Sequence, residues 1–175
     1  MEFGAWGLEF KVPLTNPYAP CYLIFYMTAT THALVGAAIT SKFPNLWGLV
    51  LAFLVHFPLD FIPHWDTNTN GRDHSRISIF IATVFDVLLA LGLVWYFFGR
   101  VIPKTLLLAS IIVSQLPDWL SAPYLFLDIN LFPFHSVYEF QARLHHKLPF
   151  PLGLLPQIIL ILFIFLLFGV IPVLH

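Results

Sequence analysis

Charged side chains are scarce in this chain. Only 10% of its 175 residues are Asp, Glu, Lys or Arg, against about a quarter in an ordinary soluble domain. The formal net charge is -1, so no basic field is present to attract nucleic acid. Cys21 is the only cysteine, which excludes an internal disulfide and a cysteine-built zinc site. There is no Ser/Gly linker, no low-complexity tract and no internal repeat, and the length suits one compact unit. In place of charge the chain has apolar surface: 59% of the residues are hydrophobic, and the mean hydropathy is +0.85.

A membrane span needs about 20 mostly apolar residues. Residues 45–62, 77–98, 101–120 and 152–174 approach that length, the second interrupted only by Asp86 and the last free of charge. A fifth stretch, residues 18–40, ends in TATTHALVGAAIT. Its small residues suit a helix packed closely inside a bundle. The expected fold is therefore all-α, a polytopic transmembrane bundle of about five helices with a short interfacial helix. Residues 1–26 lack the basic start and small-residue cleavage site of a signal peptide. They read either as an accessory extension or as an interfacial segment bearing Phe3, Trp6 and Phe10. Residues 27–175 form the membrane domain.

Five spans place Lys42, Arg100 and Lys104 at one end of the bundle, and Arg72, Arg76, Arg143 and Lys147 at the other. This distribution of positive charge does not fix the orientation. The acids and histidines are more informative. His32, His56, Asp60 and Asp118 all fall near the second end, with Asp86 deeper. A carboxylate near mid-bilayer costs about 2.5–3.5 kcal/mol on insertion scales, so such groups need partners. Hydrogen bonding within the bundle answers for Asp86 alone. Convergence from several helices points to a site.

The centre of that convergence is HFPLDFIPHWD, residues 56–66, which closes an apolar stretch. His56 and Asp60 are four apart, about 40° in azimuth on a helix. They can bind one divalent cation, or the carboxylate can orient the imidazole. Pro63 pushes residue 62 out of helical geometry, leaving His64 and Asp66 on a turn that can curl back, with Asp73 and His74 beyond. A second cluster, FHSVYEFQARLHHKL, puts His135, Glu139, Ala142 and His146 on one helical stripe. It reads as a helix near the membrane surface with His135 and Glu139 aimed at the same pocket. His145 and His146 read better as headgroup-region histidines.

Imidazole and carboxylate without thiolate suit zinc first, with manganese or iron as alternatives. A carboxylate outside the ligand set, Asp118 or Glu139, could take a proton from water. No serine or cysteine lies in a recognisable nucleophile motif.

THALVGAAI, HFPLDFIPHWD, LPDWL and FHSVYEFQARLHHKL together resemble the small bacterial integral-membrane proteins known as predicted membrane-bound metal-dependent hydrolases. The resemblance runs from about Met27 to about His146 and is strongest in His-x-x-x-Asp-x-x-Pro-His-x-Asp. It implies His32, His56, Asp60, His64, Asp66, Asp118 and His135 as functional residues, and a bacterial inner-membrane location. Better-known members carry His-Arg-Gly followed by Thr-His-Ser, where this chain has only RDHSR at residues 72–76.

The expected function is hydrolysis of an ester or phosphoester, in a membrane lipid or lipid-linked substrate. The rivals are a carrier of metal ions or protons, and a structural or assembly protein whose polar groups hold helices together. A pathway needs polar groups on both sides of the midplane, and the Lys42/Lys104 end has almost none, which counts against transport. The sequence names no protein partner.

Overall fold

The computed structural model describes residues 28–65, 76–144, 148 and 151–169. The proposed extension 1–26, Asp66, Asp73, His74, His145 and His146 lie outside them. Seven α-helices account for the described residues, and no β-strand occurs among them. They are α1 (Ala29–Lys42), α2 (Leu46–Phe61), α3 (Arg76–Phe98), α4 (Lys104–Ser114), α5 (Leu116–Leu127), α6 (Phe134–Leu144) and α7 (Leu154–Phe168).

α1 is the central element. Every side chain from Thr30 to Thr40 is buried, and α2, α3, α4 and α7 pack around it. The small residues that mark this segment make that possible. A Cβ at Gly36 would stand 2.7 Å from the Ser114 Cβ, so α1 and α4 meet closely only because residue 36 has none.

Many polar side chains are buried beside the apolar core, and many large apolar ones are exposed. The interior holds His32, His56, Asp60, Ser110, Ser114, Gln115, Ser121, Gln141 and Gln157, while Phe85, Leu88 and Trp95 of α3 and Ile159, Phe163 and Leu166 of α7 face outward. The two halves of the bundle also differ. Ala33, Leu34, Ala37 and Ala38 of α1 pack with Ala90, Val94 and Phe98 of α3, Leu107 and Ile111 of α4, and Ile161, Ile164, Phe165 and Phe168 of α7. The buried imidazoles and Asp60 lie at the start of α1, at the end of α2 and just beyond it.

Among the described residues only Ile77–Phe98 is by itself long and apolar enough to cross a membrane. α2 and α7 are apolar but have 16 and 15 residues, lengths of about 24 and 22 Å. The stretch 101–120 is not the straight span expected from its hydropathy. α4 stops at Ser114, and α5 leaves at an angle of 49°. Pro117 lies in the first turn of α5. It has no N–H to continue the α4 ladder, yet its fixed φ suits a new helix start.

Candidate metal centre

α2 begins at Asn45, whose side chain accepts hydrogen bonds from the Trp47 and Gly48 amides. It ends at Phe61, where Pro63 forbids continuation. That fixes His56 and Asp60 on its last turns, both buried. His56 Nε2 lies 3.2 Å from Asp60 Oδ2. The other Asp60 oxygen, Oδ1, is 3.1 Å from His32 Nε2, near the start of α1. Asp118, in the first turn of α5, places Oδ1 3.3 Å from His56 Nε2. The His32 and His56 rings stack with centroids 4.0 Å apart and planes 19° from parallel.

The helix break at Gln115 also sets the protonation of His56. It leaves the last carbonyls of α4 without helical partners, and His56 Nδ1 meets the Ser114 carbonyl at 2.7 Å. A carbonyl can only accept, so Nδ1 carries the hydrogen. In a neutral ring Nε2 then offers a lone pair, and that lone pair faces Asp60 Oδ2 and Asp118 Oδ1. Three acceptors converge there, and the Gln141 amide nitrogen donates among them, 2.8 Å from Asp118 Oδ1 and 3.2 Å from His56 Nε2. A second ring proton or a metal ion would also suit this place. Among the described residues, Lys42, Arg100, Lys104 and Arg143 are all exposed.

The donor set fits a divalent metal. One atom each from His32, His56 and Asp118 lies within 4.8 Å of the others, and Asp60 stands between the two imidazoles. The contacts of 3.1, 3.2 and 3.3 Å compare with the edges of about 3.3 Å in a tetrahedral shell having bonds of about 2.0–2.1 Å. Two carboxylates would balance a divalent charge, which a buried site requires. Asp118 has 11% of its side chain exposed, whereas His32 and Asp60 have none, so the centre opens at Asp118.

No protein-family model, curated protein or solved structure matches this chain. The reading of the site therefore rests on its geometry.

The other sequence candidates lie differently. His64 is buried, but its Nδ1 donates to the Ile62 carbonyl at 2.6 Å, which closes the turn after α2. Its own carbonyl accepts from the Leu148 amide. His135 and Glu139 face each other on α6, 3.4 Å apart and partly exposed. His135 rests on the Tyr124 ring of α5, centroids 4.7 Å apart. The His135–Glu139 part of the expected stripe forms, but neither residue is among the converging ligands. α6 instead turns Gln141 inward, the one side chain of that helix that is buried. Gln141 Nε2 is 2.8 Å from Asp118 Oδ1 and 3.2 Å from His56 Nε2. Sequence reasoning missed Gln141, since a lone glutamine carries no ligand signature. Its one signal was the position two residues from Glu139, on the opposite face of an amphipathic helix.

Asp86 serves a structural purpose. Its carboxylate receives the Ala29 amide, the Thr30 amide at 3.4 Å and the Thr30 hydroxyl at 2.6 Å. Thr28, the N-cap residue of α1, makes no side-chain cap bond. A carboxylate from α3 thus caps α1 across the helix interface, where it also meets the positive end of the helix dipole. A second brace is Gln157 of α7. It donates to the Trp65 carbonyl and accepts from the Thr28 hydroxyl at 3.0 Å and the Thr31 hydroxyl at 3.4 Å.

Proposed function

We propose that this chain is a polytopic membrane protein of the metal-dependent hydrolase kind that its motifs resemble. One divalent cation, zinc first and manganese or iron as alternatives, is held by His32, His56, Asp60 and Asp118. The single observation that carries this reading is the His56 ring. Its Nδ1 is committed to Ser114, and its Nε2 faces two carboxylate oxygens.

Membrane integration is supported by the exposed apolar faces, because a helix such as α3 would otherwise expose that surface to water. In this reading α2, α3, the broken α4–α5 pair and α7 cross or enter the bilayer around α1, and α6 lies at the surface. The bacterial inner membrane is the location the resemblance implies.

When bound, a divalent cation supplies Lewis acidity and activates water for attack on an ester or phosphoester. Ser114 would hold the His56 tautomer through Nδ1, and Asp60, facing the Nε2 atoms of both imidazoles, would stand beside them as a ligand. Asp118, expected from the sequence to stand outside the ligand set as a proton acceptor, is grouped with the imidazoles instead and marks the open edge where water would enter. The opening at the surface end of the bundle, beside amphipathic α6, favours a lipid or lipid-linked substrate over a soluble one.

The test is metal analysis of detergent-purified protein prepared without chelator, followed by hydrolysis of lipid phosphoesters and esters in mixed micelles. The expected result is about one divalent ion per chain and metal-dependent turnover that Asp118→Asn suppresses. Protein without stoichiometric metal would leave the cluster as a packing network, which is the structural rival. Metal without turnover would reject the hydrolase half alone.

A further inference from the structure

The amide of Gln141 occupies an unusual position. Its terminal nitrogen is 2.8 Å from Asp118 Oδ1 and 3.2 Å from His56 Nε2. Those two atoms are themselves 3.3 Å apart. The three atoms form a triangle whose edges match those of a metal coordination shell, about 2.9 Å in an octahedron and about 3.3 Å in a tetrahedron. α6 is held over the end of α2 by Phe140, whose ring meets Phe57 edge-on with centroids 5.6 Å apart. The next residue, Gln141, is thereby delivered beside His56.

A glutamine amide has two ends of nearly the same shape, one a double donor and the other an acceptor. With the nitrogen inward, its two hydrogens satisfy Asp118 Oδ1 and the His56 Nε2 lone pair. With a cation among these atoms, that arrangement is wrong. The lone pair can serve the metal or the amide hydrogen, not both, and an N–H would point at positive charge. A half-turn about the last side-chain bond brings the carbonyl oxygen to the same place, where it becomes a ligand.

We infer that Gln141 is a fifth, exchangeable ligand of the centre. Its amide nitrogen holds the metal-free site together, and its carbonyl oxygen completes the metal-loaded one. The inference rests on the metal reading given above and adds α6 to the ligand shell. It makes occupancy of the site depend on the seating of a surface helix. Oxygen ligation by a neutral amide also tilts the donor set toward harder cations, so manganese should gain relative to zinc from its presence.

The test compares Gln141→Glu, Gln141→Leu and wild type by titration with Co²⁺ and Mn²⁺ in detergent, after size exclusion and circular dichroism confirm folded protein. Carbonyl ligation predicts affinities in the order Glu at or above Gln, with Leu weaker by roughly tenfold or more. The Co²⁺ visible bands of the Leu variant should intensify, as expected for a lower coordination number, and those of the Glu variant should not. A purely donating or packing role predicts a different order, Gln above Leu above Glu, because a third carboxylate would face Asp118. That order, or equal affinity and spectra in all three, overturns the inference while leaving the metal centre intact. Wild type that binds neither cation overturns both.

Discussion

Asp86, in the middle of α3, accepts the Thr30 hydroxyl at 2.6 Å and so caps the first turn of α1 from a neighbouring helix. The contact explains a half-buried acid in the one helix, among the described residues, that is by itself long and apolar enough to span a bilayer. Asp86→Asn should cost about 1–3 kcal/mol, because one carboxylate oxygen becomes an NH₂ that confronts donors. Thermal unfolding in detergent measures this, with metal content as a control. An Asn variant that keeps full stability, or one that loses metal while remaining as stable, would contradict the cap.

Asp60→Asn and His56→Ala should each abolish stoichiometric metal while the helical content persists. An amide is a poor ligand of nearly the same shape as the carboxylate, so the Asn variant separates ligation from packing. His135→Ala and Glu139→Gln should leave the metal unchanged, because that pair lies at the exposed side of α6. Equal metal in wild type and Asp60→Asn would remove Asp60 from the shell.

Gly36→Ala should disturb the centre without touching a ligand. The added methyl would lie 2.7 Å from the Ser114 Cβ, and Ser114 supplies the carbonyl that holds His56. The strain should cost about 1–3 kcal/mol and weaken metal binding. Gly92→Ala is the control, since nothing lies within 4 Å of a Cβ there, and alanine in a helix should stabilise by about 0.5–1 kcal/mol. Ser114→Gly combined with Gly36→Ala should recover metal binding. If Gly36→Ala behaves like Gly92→Ala, the close approach of α1 and α4 is not what positions His56.

Gln157→Leu should loosen the turn after α2 by removing bonds to the Trp65 carbonyl and to Thr28 and Thr31. Loss of this buried amide should lower stability by about 1–3 kcal/mol. Gly153→Ala should be at least as harmful, because its Cβ would fall 2.3 Å from the Trp65 nitrogen. Hydrogen exchange at Trp65 and Leu148 reports on the same turn. Unchanged protection in both variants would mean that the turn holds without the brace.

In the membrane reading, residues 70 and 142 face the same side of the bilayer. Single cysteines placed there in a Cys21→Ser background should react alike with an impermeant maleimide in sealed vesicles. Opposite reactivity would reject the topology and the lipid-facing entrance with it.

The i, i+4 pair His56–Asp60 was legible in the sequence because helix geometry fixes it locally: 3.6 residues per turn place the two on one face whatever surrounds them. The end of α2 was legible for the same kind of reason, since Pro63 acts on its own neighbours. The apolar stretches, the helical segment at 134–144 and the clustering of polar groups toward one end of the bundle also follow from spacing and hydropathy. Three features did not. The sequence stripe directed His135 and Glu139 at the pocket, whereas α6 is rotated so that Gln141 enters. That rotation is set by packing on α5 and by the Phe57–Phe140 contact. The carbonyl of Ser114 became a ligand-orienting group only because α4 breaks beside Gly36. Asp86 found its partners in the backbone of α1, 56 and 57 positions away. Periodicity determines which side chains share a face. Only the docking of one helix on another decides which face looks inward, because that choice depends on contacts between residues far apart in the chain.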